Sequence, residues 1–350
     1  MANISFPTSI GNAVSLNEAV ANLNIMFHTY LEELMMASSI KELYTVRYEG
    51  PNAGMAFTVS ESMTGLGLAH ETGEGDDPFA GSISPGYSKS VTVYQRTYSI
   101  PLTFIFTYHN KYPDQEQNII RGVAASVVQR MNYDLALPFT YCTSTAATNI
   151  DGRSVDVSAG DSLALAYASH TLRNSSSTYR NIVAAGPQLS SGALELAENL
   201  FTQNMLDNNG NRLKIVPDAI VLASDKTTFN VARKLIESTS EVSAGNSGVY
   251  NPYNGAYKIL RVFEIDQTVT AGALSIPVDT TKSKQWMLVC TKNPGAYLIV
   301  TQNPTLMTPT FSNGGVNYMN GNKTWHASAI YEPVVLDPRN YVISTANGNG

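Results

Sequence analysis

The chain has 350 residues, enough for one large domain or two modest ones, and folding a chain of this size buries roughly three quarters of its unfolded surface. Charged residues make up 14% and the net charge is -6, against about a quarter charged in ordinary globular proteins. There is no basic cluster, which excludes tight nucleic-acid binding through displaced counterions.

Ser, Thr, Asn, Gly and Tyr take the place of the missing charges. A polar, charge-poor exterior suits a protein that mostly faces copies of itself, because interface cores deplete Lys, Glu and Asp and favour Tyr. Cys142 and Cys290 match no zinc or redox spacing and read as buried reduced thiols. The first ten residues show no basic segment followed by an apolar run, and no stretch approaches the length of a membrane span. A cytoplasmic start without membrane contact is expected.

Leu23, Phe27, Tyr30, Leu31 and Leu34 recur at helical spacing, with Glu32 and Glu33 opposite, and predict a helix over Leu16 to Ala37. From Thr45 to Tyr108 the pattern is strand. The outbound limb runs from Tyr44 to Ser60, a loop from Glu61 to Ser90, and the return limb from Ser90 to Tyr108. On the return limb Tyr98, Ile100, Leu102, Phe104, Phe106 and Tyr108 share a face. Val91 and Val93 sit in the other phase, so a bulge or bend is expected near Tyr94 to Arg96. Taken as one strand, this limb of about 60 Å would project from the body. Pro101 confines it to an edge.

Asp114 is placed to cap a helix from Gln115 to Leu137, with Gln117 closing a capping box and Pro138 stopping it. Ile119, Ile120, Val123, Ala124, Val127, Val128 and Met131 form its apolar stripe. Gly122 inside it costs roughly 1 kcal/mol against Ala, so something is expected to pack closely there. Beyond Thr140 the chain alternates helix and strand. Ser190 or Ser191 caps a helix ending at Asp207 to Gly210, and Asp225 caps a second one after the strand Ala219 to Ala223. A strand is expected over Tyr257 to Ile265. Trp286 to Thr291 and Tyr297 to Gln302 read as a hairpin turned at Asn293-Pro294-Gly295. The last residues, Ala346 to Gly350, read as a frayed tail.

His70, Glu71, Glu74, Asp76 and Asp77 are the one dense cluster of potential metal ligands. Their spacing fits no EF-hand, and a solvated acidic loop is the plainer reading. No cofactor or resident metal is expected. His109 and His170 read as boundary residues. There is no GxSxG elbow, Walker loop or GxGxxG, and no Cys beside a plausible base, so no catalytic residue is expected.

Three stretches resemble the major head subunits of tailed phages, above all the Mu-like branch of the Hong Kong 97-type fold. The most specific is Ser169 to Ser238, with His170, Asn181, Leu189-Ser190, Asp207 with Gly210 and Leu213, and Pro217-Asp218 at the family's positions. The others are "ISPGYSKSVTVYQRTYSIPLTF" and "ASSIKELYTVRYEGPNAGM", similar to the return strand of the family's extended loop and to the join between arm and loop. The resemblance implies an α+β capsid fold. Residues 1–45 would be an N-terminal arm and 46–108 an extended β-hairpin loop. Residues 109–145 with 320–350 would form a peripheral domain with a long spine helix, and 146–319 an axial domain.

It also implies hexamers and pentamers of one chain in an icosahedral shell. Such a shell is built in the host cytoplasm around double-stranded DNA held without sequence-specific binding. Scaffolding, portal and decoration proteins would be partners. No scaffolding segment precedes the arm, so a separate scaffolding protein or prior cleavage is implied. Glu71, Asp76, Asp77, Lys89 and Arg96 are the residues expected at contacts between subunits. No motif selects a Lys, Asn and Glu trio for covalent cross-linking. An encapsulin-like compartment and a hydrolase with a dispersed site are the alternatives.

Overall fold

In the computed structural model the described residues are 25–50, 56–60, 69, 71–75, 77, 86–103, 114–240, 250–268, 276–307, 316, 319 and 321–347. They form two compact units. The first comprises residues 1–38, 94–131 and 300–331, and the second 39–93, 132–299 and 332–350.

Helix α1 covers residues 25–36. Strands β1 (Thr45–Tyr48), β2 (Ala56–Ser60), β3 (Ser88–Thr92) and β4 (Tyr94–Leu102) lead to the long helix α2 (Asp114–Thr140). Short strands follow: β5 (Ala146–Thr148), β6 (Ser154–Asp156), β7 (His170–Thr171) and β8 (Thr178–Tyr179). Then come α3 (Ser191–Asn199), β9 (Ala219–Leu222), α4 (Lys226–Glu237), β10 (Lys258–Arg261), β11 (Trp286–Val289), β12 (Ala296–Met307), β13 (Lys323–Val335) and β14 (Tyr341–Ser344). No helix among the described residues is long and apolar enough to cross a membrane.

In the first unit β4 pairs antiparallel with β13, from Tyr94 opposite Tyr331 to Leu102 opposite Lys323. β4 is a sheet edge, where Pro101 lacks only an N–H that an edge does not need. Phe27 and Leu31 of α1, Ile120, Val123, Ala124 and Val128 of α2, and Leu102 and Trp325 pack into one core. Residues 16–24 of the expected first helix lie outside the described residues.

The return limb is not one projecting strand. It breaks at Val93: β3 pairs with β2, whereas β4 joins β13. Its apolar face changes sides at the same place, and Val93 itself is buried. Phe104 to Tyr108 lie outside the described residues.

Three expectations for α2 also need correction. Pro138 lies inside the helix, which runs on to Thr140. A proline removes only the bond to the carbonyl four residues back, and the N–H groups beyond it still find acceptors, Tyr141 donating to the Leu137 carbonyl at 3.1 Å. Nothing packs within 4 Å of where a Cβ on Gly122 would lie; that face of the helix is exposed. Val127 is only half-buried, while Val123 is fully buried. The buried seam therefore runs through Ile120, Val123, Ala124 and Val128. The side chains of residues 114–116, and with them the capping box, lie outside the described residues.

In the second unit a four-stranded sheet runs β10-β9-β11-β14, β10 and β9 parallel and the rest antiparallel. β9, β11 and β14 are buried at every position, the continuous apolar pattern of strands covered on both faces. Leu194, Ala197 and Phe201 from α3 and its extension, with Ala232, Leu235 and Ile236 of α4, pack onto Ile220, Leu222, Trp286, Leu288 and Val342. The caps fall where the sequence puts them. Ala193 N donates to Ser190 Oγ at 3.2 Å and Thr228 N to Asp225 Oδ2 at 2.8 Å.

The expected hairpin between Trp286 and Gln302 does not form, because β11 and β12 belong to different sheets. β11 is a central strand between β9 and β14, so both its edges are already taken. Gly295 does turn the chain with φ +65°. The strand expected over Tyr257 to Ile265 is shorter, giving way to a 3₁₀ turn at Phe263–Asp266. Ala346 is buried and belongs to the core, so the tail begins no earlier than residue 347; residues 348–350 lie outside the described residues. Cys142 is buried and Cys290 half-buried, both as free thiols.

Candidate functional site

Three places bring together the residues that the sequence singles out. The first is the base of the β2–β3 hairpin, registered from Ala56 opposite Thr92 to Ser60 opposite Ser88. Tyr87 is 2% exposed, and its hydroxyl donates to the Thr171 carbonyl at 2.5 Å. Lys89 Nζ donates to Ser158 O at 2.5 Å and lies 3.2 Å from both Ser158 Oγ and Asp156 Oδ1. Burial pulls the Lys89 pKa below the usual lysine range, against the raising pull of Asp156. Tyr87 and Lys89, at the C-terminal end of the segment 61–90, thus fasten the hairpin base to this unit. Glu71, Glu74 and Asp77 are exposed. His70 and Asp76 lie outside the described residues. Among the described residues no three potential metal ligands stand together.

The second place is a buried polar network. His170, expected at a boundary, is fully buried. Asn181 Nδ2 donates to the carbonyls of Leu165 at 2.6 Å and Pro338 at 3.1 Å. That fixes the amide so that Oδ1 accepts from Tyr167 N at 2.9 Å and faces His170 Nε2 at 3.0 Å. Since Oδ1 only accepts, Nε2 carries the hydrogen between them. His170 Nδ1 lies 2.6 Å from Asp161 Oδ2, and the Tyr179 ring stacks on the imidazole at a centroid distance of 5.0 Å. Both ring nitrogens are engaged and neither reaches solvent. The arrangement joins residues 161–181 to 338, and it offers no accessible base. The sequence marked His170 and Asn181 through the family motif; Asp161 carries no signal of its own.

Tyr44 and Tyr341 donate their hydroxyls to the carbonyls of Leu135 at 2.7 Å and Leu43 at 2.9 Å. Burial pushes Tyr44, Tyr179 and Tyr341 well above the usual tyrosine range. Their ionisation is thus confined to the unfolded chain. Stability from these groups is whole below the unfolded pKa of about 10 and falls as pH rises past it. All three act in the same direction, so their losses add. Denaturant midpoints should therefore drop steeply from about pH 10 upward, together with a rise in tyrosinate absorbance. A flat profile there would contradict the burial of these hydroxyls.

The third place is a pocket of about 160 Å³ in the first unit. It is lined by Arg96 to Tyr98 of β4, Ser126, Val127 and Arg130 of α2, and Tyr331 of β13. Arg96 stacks on the Tyr331 ring at 4.3 Å and donates through one terminal nitrogen to the carbonyls of Tyr94, at 2.7 Å, and Tyr331. Of this lining the sequence marks Arg96 as a contact residue, and Tyr98 and Val127 only as members of apolar faces. Arg130 and the pocket were missed, although its spacing from Ser126 on one helix face was visible.

No protein-family model matches the chain, and no curated protein matches it by sequence. Solved structures do. A chain from Gordonia phage Cozz is 14% identical, with a TM-score of 0.50, over 87% of this chain and 85% of that one. The capsid asymmetric unit of cyanophage Pam1 is 14% identical, with a TM-score of 0.49, over 85% and 89%. A virus-like particle from Pyrococcus furiosus is 9% identical, with a TM-score of 0.46, over 92% and 97%. The fold likeness rests on the first of these. The chain has an α+β fold of the Hong Kong 97 type.

Proposed function

We propose that the chain is the major head subunit of a tailed phage, a structural protein that assembles as hexamers and pentamers into an icosahedral shell around double-stranded DNA and catalyses nothing. The observation that carries this reading is the fold, shared along most of both chains with a protein of Gordonia phage Cozz. The sequence supports it independently, through 14% charged residues and an exterior suited to facing copies of itself. Residues 1–45 then serve as the arm, 46–108 as the extended loop, 109–145 with 320–350 as the peripheral domain and 146–319 as the axial domain. Glu71, Asp76, Asp77 and Arg96 are the residues we place at contacts between subunits. Lys89 joins them with its ammonium already held inside its own chain. A net charge of -6 leaves little affinity for packaged DNA, which must slide past the wall. Scaffolding, portal and decoration proteins complete the assembly, which takes place in the host cytoplasm and ends in the virion.

Each subunit makes several heterologous contacts, so modest energies add up to a stable closed shell. Size-exclusion chromatography with light scattering should show pentamers, hexamers or shells, and negative stain should show closed particles. A monomer of 37.8 kDa at every concentration and salt would overturn the reading. Particles that enclose protein cargo and exclude DNA would replace it with a compartment shell.

A further inference from the structure

The hydrogen bonds of the His170 network leave one proton unaccounted for. Asn181 Nδ2 is spent on two carbonyls, so its Oδ1 faces His170 Nε2, and that nitrogen carries a hydrogen. A neutral imidazole has no second hydrogen to give, and its Nδ1 lone pair would then face Asp161 Oδ2 at 2.6 Å. A carboxylate oxygen can only accept, and two acceptors at that distance repel. We propose that Asp161 and His170 hold one further proton between them, taken from solvent when the second unit folds above about pH 6.5 and given back only when it opens.

Burial holds the proton in place. The side chains of His170 and Asp161 are 0% and 1% exposed. Without the proton, Asp161 would keep a carboxylate charge away from water with a lone pair set against it, which burial penalises strongly. Asp161 Oδ1 accepts from Leu163 N at 3.2 Å, so the second oxygen is the one left for His170. Two forms satisfy the geometry, an imidazolium with a carboxylate and an imidazole with a carboxylic acid. The pair has no net charge in either, and the proton belongs to both residues.

The other ionisable groups around the pair do not supply this proton. Tyr167 stands edge-on to the imidazole at 6.0 Å and Tyr179 stacks on it at 5.0 Å, both through their rings. Tyr87, Asp337 and Arg339 act on the Tyr179 hydroxyl. Lys89 feels the charge of Asp161, but its ammonium is bonded to Asp156 and Ser158.

The sign of the pH dependence follows. In the unfolded chain an imidazole gives up its proton near about pH 6.5 and a carboxyl near about 3.9. Between those values both states hold one proton, and the pair adds no slope. Above about pH 6.5 only the folded unit holds it, so stability falls as pH rises, tenfold in the folding constant per pH unit. Asp161→Asn removes the proton and keeps the bonds. Its amide oxygen still accepts from Leu163 N, and its Nδ2 donates to Nδ1 of a neutral imidazole.

Urea unfolding of the full chain and of Asp161→Asn, at pH 6.5 and at pH 8.5, tests the proposal. The ratio of the wild-type folding constant to that of the variant should fall about a hundredfold between the two pH values, because groups common to both proteins cancel. A fall of less than about tenfold, or a rise, would overturn the proposal. Should Asp161→Asn not fold, solid-state nitrogen NMR of the wild-type chain labelled in histidine decides. Both ring-nitrogen signals of His170 should stay in place from pH 6.5 to pH 8.5. Movement of either signal while the protein remains folded would show that the proton leaves the pair, and the proposal would fail.

Discussion

Replacing residues 61–85 with a short Gly-Ser link is expected to leave the subunit folded and to abolish particles. The excision stops short of Gly86 for a structural reason: Tyr87 and Lys89 belong to the subunit's own interior. The hairpin register ends with Ser60 opposite Ser88, so a short link closes the same two strands. Closing a shorter loop is favoured by about 1 kcal/mol or less. The buried residues Val59, Tyr87, Val91 and Val93 are all kept. The melting temperature should stay within a few degrees of wild type, while the loop proposed to reach a neighbour is lost from every copy at once. Calorimetry and particle counts should therefore part company. Unfolding of the excised chain would show that the loop stabilises its own subunit, and normal particles would show that it makes no contact.

Asn181→Ala should be among the most damaging single substitutions. It strips partners from the Leu165 and Pro338 carbonyls, the Tyr167 N–H and His170 Nε2 at once. Asn181 is fully buried, and each buried group left unpaired costs roughly 1–3 kcal/mol. Even if a water occupied the space and re-paired half of them, several kcal/mol would go, out of a total stability of about 5–15. Asn181→Asp keeps the shape and turns the donor toward two carbonyls into an acceptor, so it should do no better. Both variants should be found in the insoluble fraction or melt at least about 10 °C lower. Wild-type melting of either would show that the network is dispensable.

What could be read in the sequence was what neighbouring residues decide among themselves. The caps at Ser190 and Asp225, the long helix from residue 114 and the break before β4 all follow from side chains a few positions apart. Errors came where a distant partner decides. Trp286 to Val289 followed by Pro-Gly looks like half of a hairpin, yet β9 and β14 claim both of its edges. Gly122 suggested a close neighbour and faces none, and periodicity could not tell Val127 from Val123. The arginine pocket was illegible for the same reason. Arg96 and Arg130 lie on a strand and a helix that the sequence gives no means of placing side by side.

The segment that follows β13 has a consequence for how the chain is made. Gly160 and Gly295 press against it so closely that a Cβ on either would lie within 2.5–2.6 Å of the Leu336 or Asp337 carbonyl oxygen. β14 then completes the sheet beside β11. All its partners leave the ribosome before it does. Until residues 336–344 emerge, one edge of β11 stays unpaired and the groove between the two glycines stays open. A nascent or truncated chain lacking them therefore leaves the apolar edge of the four-residue strand β11 unpaired, the kind of surface that chaperones bind. The order of synthesis thereby makes the covering of that edge one of the last events in folding this sheet.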